Sequence, residues 1–261
     1  MNTVKLPNFL RPLKSKNLVR IGRENDGGYL IDNKSIEHSD FLLAYGIDHD
    51  WSFEKEFTDL TKCPLHSYDG SVGPSFFISK LKLRIINLIK KPNKRYIKES
   101  KYWFLLPIRF YSFFNVFKKS SGINHYEKYV GNQENSISLK NTLVKIPKKY
   151  RNIFLKVDIE GSEYEILEEI INNQSRFSGL VIEFHEVNHN IDIIKNFIHR
   201  FSLKLVHLHI NNYVEIEKDK LPDVVELSFS SFEMTTEFVS KLPHSLDMEN
   251  NKDGPIYNIV F

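Results

Sequence analysis

Phe154-Leu155-Lys156-Val157-Asp158-Ile159-Glu160-Gly161-Ser162-Glu163-Tyr164-Glu165-Ile166-Leu167 compresses a strand, a turn and the start of a helix into one stretch. The strand runs from Ile153 to Val157, apolar except for Lys156, and stops at Asp158. Gly161 permits a sharp turn, and Ser162 to Ile171 carries Tyr164, Ile166, Leu167, Ile170 and Ile171 at helical spacing on one apolar face. Asp158 and Glu160 stand two residues apart, which in extended chain puts both carboxylates on one side of the sheet, facing a cleft. Capping of the helix by Asp158, with Glu163 as its capping-box partner, is the structural alternative and does not exclude chemistry.

Working outward, the same grammar repeats. Leu180-Val181-Ile182 is a strand ending at Glu183, two residues before His185, so a second carboxylate and an imidazole converge on Asp158. Phe41 to Tyr45 is a buried strand ending at Gly46, followed by a helix opened by Asp50-Trp51-Ser52-Phe53-Glu54 with Asp50 or Ser52 as N-cap. Leu65 to Tyr68 is a strand ending at Asp69, and His125 to Val130 alternates like another. Ile191 to Phe201 is helical; Leu203 to Ile210, Val224 to Phe229 and Tyr257 to Phe261 are late strands. Leu18 to Gly22 and Tyr29 to Ile31, joined through Asp26-Gly27-Gly28, form a β-hairpin over about 18–32. Strands alternating with helices mean βαβ units and a mostly parallel sheet, in which ligands bind at the carboxyl ends of the strands. The two strands at the chain end lack a convincing helix between them, which predicts an antiparallel hairpin at one sheet edge.

The composition agrees with a folded enzyme-sized chain. Its 261 residues are 41% hydrophobic and 26% charged, so it can bury a large core as a single domain over 1–261. A lone cysteine, Cys63, rules out an intramolecular disulfide framework and a cysteine-rich zinc site. The first residues carry no apolar run, and no stretch of about 18 uncharged apolar residues occurs, so the expectation is a cytoplasmic protein without a transmembrane helix. Alanine occurs once, at Ala44, a bias that fits an AT-rich bacterial genome. The net charge of +3 hides an asymmetry: residues 78–121 hold twelve Lys/Arg and one acid, Glu99, so the rest of the chain is net acidic.

Several segments together resemble the FkbM-type family of S-adenosylmethionine-dependent O-methyltransferases. Phe154 to Leu167 is similar to that family's K-[IV]-D-[IV]-E-G-[AS]-E signature. Arg20-Ile21-Gly22 with Asp26-Gly27-Gly28-Tyr29 resembles the hairpin of one branch. Tyr45-Gly46-Ile47 followed by Asp50 to Glu54 resembles that branch's cofactor loop. Ile182-Glu183-Phe184-His185 and His209-Ile210-Asn211-Asn212 also fit. The matches span roughly residues 18–230. The resemblance implies a Rossmann-like class I methyltransferase fold: a mostly parallel seven-stranded α/β sheet with an antiparallel edge hairpin and a helical insert. It also implies S-adenosylmethionine as cofactor, contacted by Asp26, Tyr29, Gly46, Ile47, Asp48, Ser52, Asp69 and Asp158. The cofactor loop departs from many methyltransferases in having only Gly46.

Physical chemistry supplies roles for these positions. Gly46 lets backbone approach a ligand closely, and the N-terminus of the next helix favours a carboxylate. Asp69 stands where an acid accepts from ribose hydroxyls. The absence of Gly-x-Gly-x-x-Gly weighs against NAD(P). Methyl transfer to an alcohol needs a general base or a metal ion, because the hydroxyl is barely acidic. His185 is the preferred base, since imidazole titrates near neutrality, with Asp158 or Glu183 orienting it. The alternative is magnesium or manganese on Asp158, Glu183 and His185 or Glu160. His207 and His209 share a strand face; with Glu160, His189, Asn211 and Asn212, His209 would form a polar pocket for a sugar or nucleotide-sugar acceptor, as in surface polysaccharide biosynthesis. His189 as a helix cap and Asn211-Asn212 as a plain turn are the structural alternatives.

The basic segment, about 74–121, is rich in aromatics: Tyr96, Tyr102, Trp103, Phe104, Phe110, Tyr111, Phe113, Phe114 and Phe117. Pro92 and Pro107 divide it into helices. It reads first as a helical lid over the cleft or a homodimer contact, then as a surface for anionic acceptors or lipid. Nucleic acid is not expected, for no recognised motif accompanies it. A nucleotide-sugar enzyme with another cofactor, or a non-catalytic binding protein on a degenerate methyltransferase fold, are the competing functions.

Overall fold

The computed structural model describes residues 2–114, 122–217, 220–232 and 235–261; Phe117 and the end of the basic segment lie outside the described residues. In chain order the elements are β1 (Asn2–Lys5), β2 (Leu18–Gly22), β3 (Gly28–Asp32), α1 (Asn33–Glu37), β4 (Phe41–Tyr45), α2 (Ser52–Thr61) and β5 (Leu65–Tyr68). Then follow α3 (Pro74–Lys90), α4 (Lys94–Phe113), β6 (Ile123–Tyr126), α5 (Leu139–Val144), β7 (Ile153–Val157), α6 (Leu167–Asn172) and β8 (Phe177–Phe184). The chain closes with α7 (Val187–Arg200), β9 (Lys204–Ile210), β10 (Val225–Ser230) and β11 (Tyr257–Val260).

Seven strands form one sheet in the order β6-β5-β4-β7-β8-β10-β9, and only β10 runs antiparallel to its neighbours. This is the class I methyltransferase layout; an antiparallel hairpin does form one sheet edge, but from β9 and β10, while the last strand of the chain takes no part in it. Strand order reverses between β4 and β7, so the chain leaves these neighbours toward opposite ends of the sheet and a crevice opens at their carboxyl ends. Alternation of side chains splits the core between the two sheet faces. Phe41, Leu43 and Tyr45 join Leu155, Val157, Leu180 and Ile182 on one face. Leu42 and Ala44 join Phe53, Phe57, Phe154 and Val181 on the other.

The structure corrects several boundaries. The sixth strand is Ile123–Tyr126, paired with Leu65–Tyr68; Tyr129 and Val130 instead continue as a loop in which Val130 bridges Ile137. The helix expected from Ser162 begins as a 3-10 turn, Glu163–Glu165, and becomes α-helical only at Leu167. Gly161 has φ +100°, and Glu163 turns back to accept from the amides of Ile159 and Gly161, which winds the chain too tightly for an α-helical first turn. α7 starts at Val187, so His189 is inside the helix and does not cap it. β11 stays out of the main sheet and pairs in parallel with β1. The basic segment is a helical hairpin: Pro92 separates α3 from α4, whereas Pro107 lies inside α4, which continues without Pro107's amide bond to the Trp103 carbonyl. Among the described residues, no helix is long and apolar enough to cross a membrane.

Lys156 is the one charged residue of β7, and the fold accommodates it by pairing. Its Nζ donates to the Gly46 carbonyl (2.7 Å) and lies 3.3 Å from Glu54 Oε1 on α2, with side chains 5% and 0% exposed. Removing one partner leaves a buried charge alone. Lys156→Met should therefore lower stability by about 3–5 kcal/mol in urea titration, with much of it restored by adding Glu54→Gln. A loss under about 1 kcal/mol would mean that the pair is solvated in solution.

Candidate active site

The crevice at the β4–β7 reversal is a cavity of about 610 Å³, within the usual range for ligand sites. One end is built from the loops after β4 and β5. Gly46 has φ +72°, and a Cβ there would sit 1.5 Å from the Asp158 carbonyl oxygen. The glycine is thus demanded by the crossing of two chain exits rather than by ligand approach, although it still lines the cavity. Asp69 is buried at the end of β5. Its Oδ2 accepts from the amides of Ile47 and Asp48, both at 3.0 Å, and its Oδ1 from the amide (2.8 Å) and hydroxyl (2.7 Å) of Ser71. All its acceptor positions are engaged, so Asp69 positions the 46–51 loop; a ribose hydroxyl would have to replace that of Ser71.

The start of α2 is fastened to the hairpin. The N-cap is Trp51, which has no side-chain cap, rather than Asp50 or Ser52; Asp50 Oδ1, one residue earlier, accepts from the Ser52 amide (3.1 Å), and Asp50 Oδ2 pairs with Arg23 Nε (2.9 Å). Ser52 Oγ accepts from the Arg23 amide at 3.0 Å and does not line the cavity. Asp26, Tyr29, Ile47 and Asp48 all do.

At the other end, β7 and β8 deliver the acidic cluster. Tyr29 donates to Asp158 Oδ2 at 3.0 Å. One ligand atom each from Asp158, Glu183 and His185 lie within 4.8 Å of one another. Asp158 therefore faces the cleft and does not cap a helix. Glu160 departs from the i, i+2 expectation. The strand has ended, Glu160 takes φ +52°, and its exposed carboxylate reaches His185 Nε2 from outside at 3.4 Å.

His185 is held by acids at both ring nitrogens: Nδ1 is 3.0 Å from Glu163 Oε1, and Nε2 is 3.3 Å from Glu183 Oε1. Burial opposes its charge, but the hydrogen bonds to Glu163 and Glu183 win and push its pKa up to about 11. His185 is thus an imidazolium at neutral pH, the opposite of the free base that the sequence suggests. Burial raises Glu183 to about 8, helped by the neighbouring charge of Asp158. Burial also raises Asp158, against the pull of Lys156 and His185.

Of the proposed acceptor residues, only Glu160 and Asn211 line the cavity. Asn211 Nδ2 points toward Glu183 Oε1 at 3.5 Å, and its Oδ1 accepts from the Tyr213 amide. Asn212 is buried and anchors the C-terminal loop: it donates to the carbonyls of Asn251 and Pro255 and accepts from the Asn251 amide. His189 is exposed on α7, away from the cavity. His209 belongs to a separate buried network, with Nδ1 3.3 Å from Asp247 Oδ1 and Nε2 2.9 Å from Asn250 Oδ1. Burial lowers its pKa, but Asp247 and Glu226 hold it up at about 9. His207, on the same strand face, also meets Asp247. Strand alternation placed these histidines correctly side by side, but Asp247 lies 38 or more residues away and nothing local announces it.

Residues that sequence reasoning did not assign to the site include Glu163, Tyr164 and Arg23. Glu163 is fully buried and sits under His185, and Tyr164 donates to the His185 carbonyl at 2.5 Å. Their signal was Glu163-Tyr164 following the Asp158 turn, read there as capping and apolar face.

Residues 93–218 match the family model of the methyltransferase FkbM domain, in agreement with the resemblance carried by the sequence motifs. No curated protein matches the chain. Solved structures similar to it include precorrin-6y C5,15-methyltransferase from Geobacter metallireducens GS-15, at 11% identity, TM-score 0.34, covering 75% of this chain and 82% of that one. They also include the fibrillarin pre-rRNA processing protein of Methanococcus jannaschii, at 13% identity, TM-score 0.37, covering 75% and 68%. An uncharacterized protein from Listeria monocytogenes serotype 4b is similar at 13% identity, TM-score 0.36, covering 79% and 69%.

The Gly46 crossing gives a direct test. Gly46→Ala adds both a clash with backbone and a left-handed alanine, and should lower stability by roughly 3 kcal/mol in urea titration. An unchanged midpoint would show that the 158–161 turn moves aside freely.

Proposed function

We propose that the chain, through its methyltransferase FkbM domain, moves the methyl group of S-adenosylmethionine to a hydroxyl of a carbohydrate acceptor, a sugar or nucleotide-sugar of surface polysaccharide biosynthesis, in the cytoplasm. The observation that carries this reading is the convergence of Asp158, Glu183 and His185 in the cleft that also holds the 46–51 loop. The cavity suits the cofactor chemically. Its walls include Asp26, Asp48, Asp50, Asp69, Asp158, Glu160 and Glu183, an acid-rich lining fit for a sulfonium and an ammonium. Gly46, Ile47 and Asp48 would line the cofactor's place on the loop that Asp69 positions, where a ribose hydroxyl would take the place of the Ser71 hydroxyl on Asp69; Asp26 and Tyr29 line the same cavity. Bound there, S-adenosylmethionine supplies an electrophilic methyl group.

The chain's own residues then have to activate an alcohol. Glu183 is the group fitted to accept the hydroxyl proton, because its pKa of about 8 lies near working pH. Tyr29 fixes Asp158 by its 3.0 Å hydrogen bond. The His185 imidazolium, clamped by Glu163, balances the two inner carboxylates and donates toward Glu183. Asn211, at the open side, offers an amide to acceptor hydroxyls.

A second reading is favoured by one observation, the three ligand atoms within 4.8 Å of one another. Their mixed oxygen and nitrogen donors suit magnesium or manganese, which would acidify the hydroxyl directly.

The reading is tested by supplying cofactor labelled in its methyl group and screening sugars and nucleotide sugars. Label recovered as an alkali-stable methyl ether supports it; label only on nitrogen, carbon or carboxylate contradicts it. Glu183→Gln should lower kcat by about 100-fold or more while leaving cofactor affinity within a few fold. The base is competent only when deprotonated, so kcat/KM should rise as pH passes about 8 and fall again as His185 loses its proton near 11. A flat profile from pH 6 to 10 would remove Glu183 as base. Activity lost in EDTA and restored by manganese would transfer its role to the metal.

A further inference from the structure

We propose that the α3–α4 hairpin is a docking surface for anionic lipid bilayers. Each helix is apolar on two faces, and only one of them is used by the fold. Phe77, Trp103, Leu106 and Phe110 are buried against the body of the protein. On the outside, α3 presents Ile78, Lys82, Ile85 and Ile89, and α4 presents Ile97, Lys101, Phe104 and Ile108. Both sets have the spacing i, i+4, i+7, i+11, so each makes one stripe along its helix. The apolar members are far from incidental edges of the core: Ile78 is 67% exposed, Ile89 75%, Phe104 60% and Ile108 59%.

Charge identifies the occupant. Residues 74–114 hold ten Lys/Arg and a single acid, Glu99. That acid is already claimed by Arg95 at 2.8 Å and Arg84 at 3.6 Å. An aliphatic stripe with a lysine in its middle and cations around it fits the headgroup boundary of an anionic bilayer. There the apolar side chains enter the acyl region, and the lysines extend their stems and keep their ammonium groups among the phosphates. A soluble polyanion would satisfy the charges and leave the isoleucines in water. Hairpin-to-hairpin pairing of two copies would bring two sets of cations together. Neither helix can cross a bilayer, so the hairpin lies on it. It is rooted beside the cofactor-side loop, with His49 against the Trp103 ring (5.6 Å between centroids) and Trp51 against Phe110 (5.4 Å), so docking holds the cleft near the lipid surface.

The test is flotation of the full chain with vesicles of phosphatidylcholine alone and with added phosphatidylglycerol, at low and high salt. The proposal expects association with the anionic vesicles about tenfold or more above the neutral ones, weakened by salt. It also expects that Ile85→Asp with Ile89→Asp, or separately Phe104→Asp with Ile108→Asp, abolishes flotation. These positions are exposed, and an unchanged thermal transition would confirm the fold; Lys82→Glu with Lys101→Glu gives a second, charge-only variant with the same expected loss. Absence of flotation with anionic vesicles overturns the proposal. So does flotation that the aspartate variants leave intact, with equal binding to heparin or RNA, which would make the hairpin a polyanion surface. A dimer in sedimentation that the aspartate variants dissociate, without vesicle binding, would assign the stripes to a second copy. None of these readouts uses methyl transfer, so they stand apart from the fate of the active-site reading.

Discussion

At the end of β4 the backbone of Gly46 passes so close to the Asp158 carbonyl that no side chain fits between them. That contact follows from placing two parallel strands side by side and sending their chains to opposite ends of the sheet. It fixes where the crevice opens, because the loops on either side can only diverge from that point. The crossing is fastened from below by Lys156, which donates to the Gly46 carbonyl and pairs with Glu54 of α2. It is fastened from the side by Asp69, which gathers the amides of Ile47 and Asp48. Strand, loop and helix are held by charge-assisted bonds in a region where water does not compete, which suits a loop that must keep its shape around a ligand.

The same geometry crowds acids. Glu183 and Glu226 are buried and Asp158 is half-buried beside them; burial raises the pKa of all three, Glu183 to about 8. Three cations offset them from the protein side: Lys156 acting on Asp158, His185 between Glu163 and Glu183, and His209 acting on Glu226. An arrangement that raises buried carboxylates together is poorly suited to stability alone and well suited to binding a cation or taking a proton. His185 thereby becomes a positioning group, fixed by Glu163 below and by Tyr164 at its carbonyl.

Strand alternation and strand ends were the legible part of this chain. Phe41 to Tyr45 and Ile153 to Val157 stand where their largely apolar runs predict, and Leu65 to Tyr68 is the short strand expected before Asp69. The convergence of Asp158, Glu183 and His185 followed from position alone, since neighbouring parallel strands must end near one another. What escaped depends on partners remote in sequence. The protonation of His185 depends on Glu163, whose side chain points back only because Gly161 reverses the chain. Strand position alone makes His209 a pocket residue, but Asp247 and Asn250 arrive from the C-terminal segment and seal it. β11 has the composition of a sheet strand and pairs instead with β1, a segment at the other end of the chain. Pro107 lies within a helix that it was expected to end, where burial of Trp103, Leu106 and Phe110 outweighs one missing hydrogen bond.

The central proposal is that the part of the crevice beside Gly46 and Asp69 would hold the cofactor without help from a metal on the acidic cluster, which would activate the acceptor. Calorimetric titration of the EDTA-treated chain with S-adenosylhomocysteine, with and without magnesium or manganese, tests it most directly. The account predicts micromolar binding without metal, little changed when metal is added. Absence of binding under both conditions, with the protein folded, would contradict it.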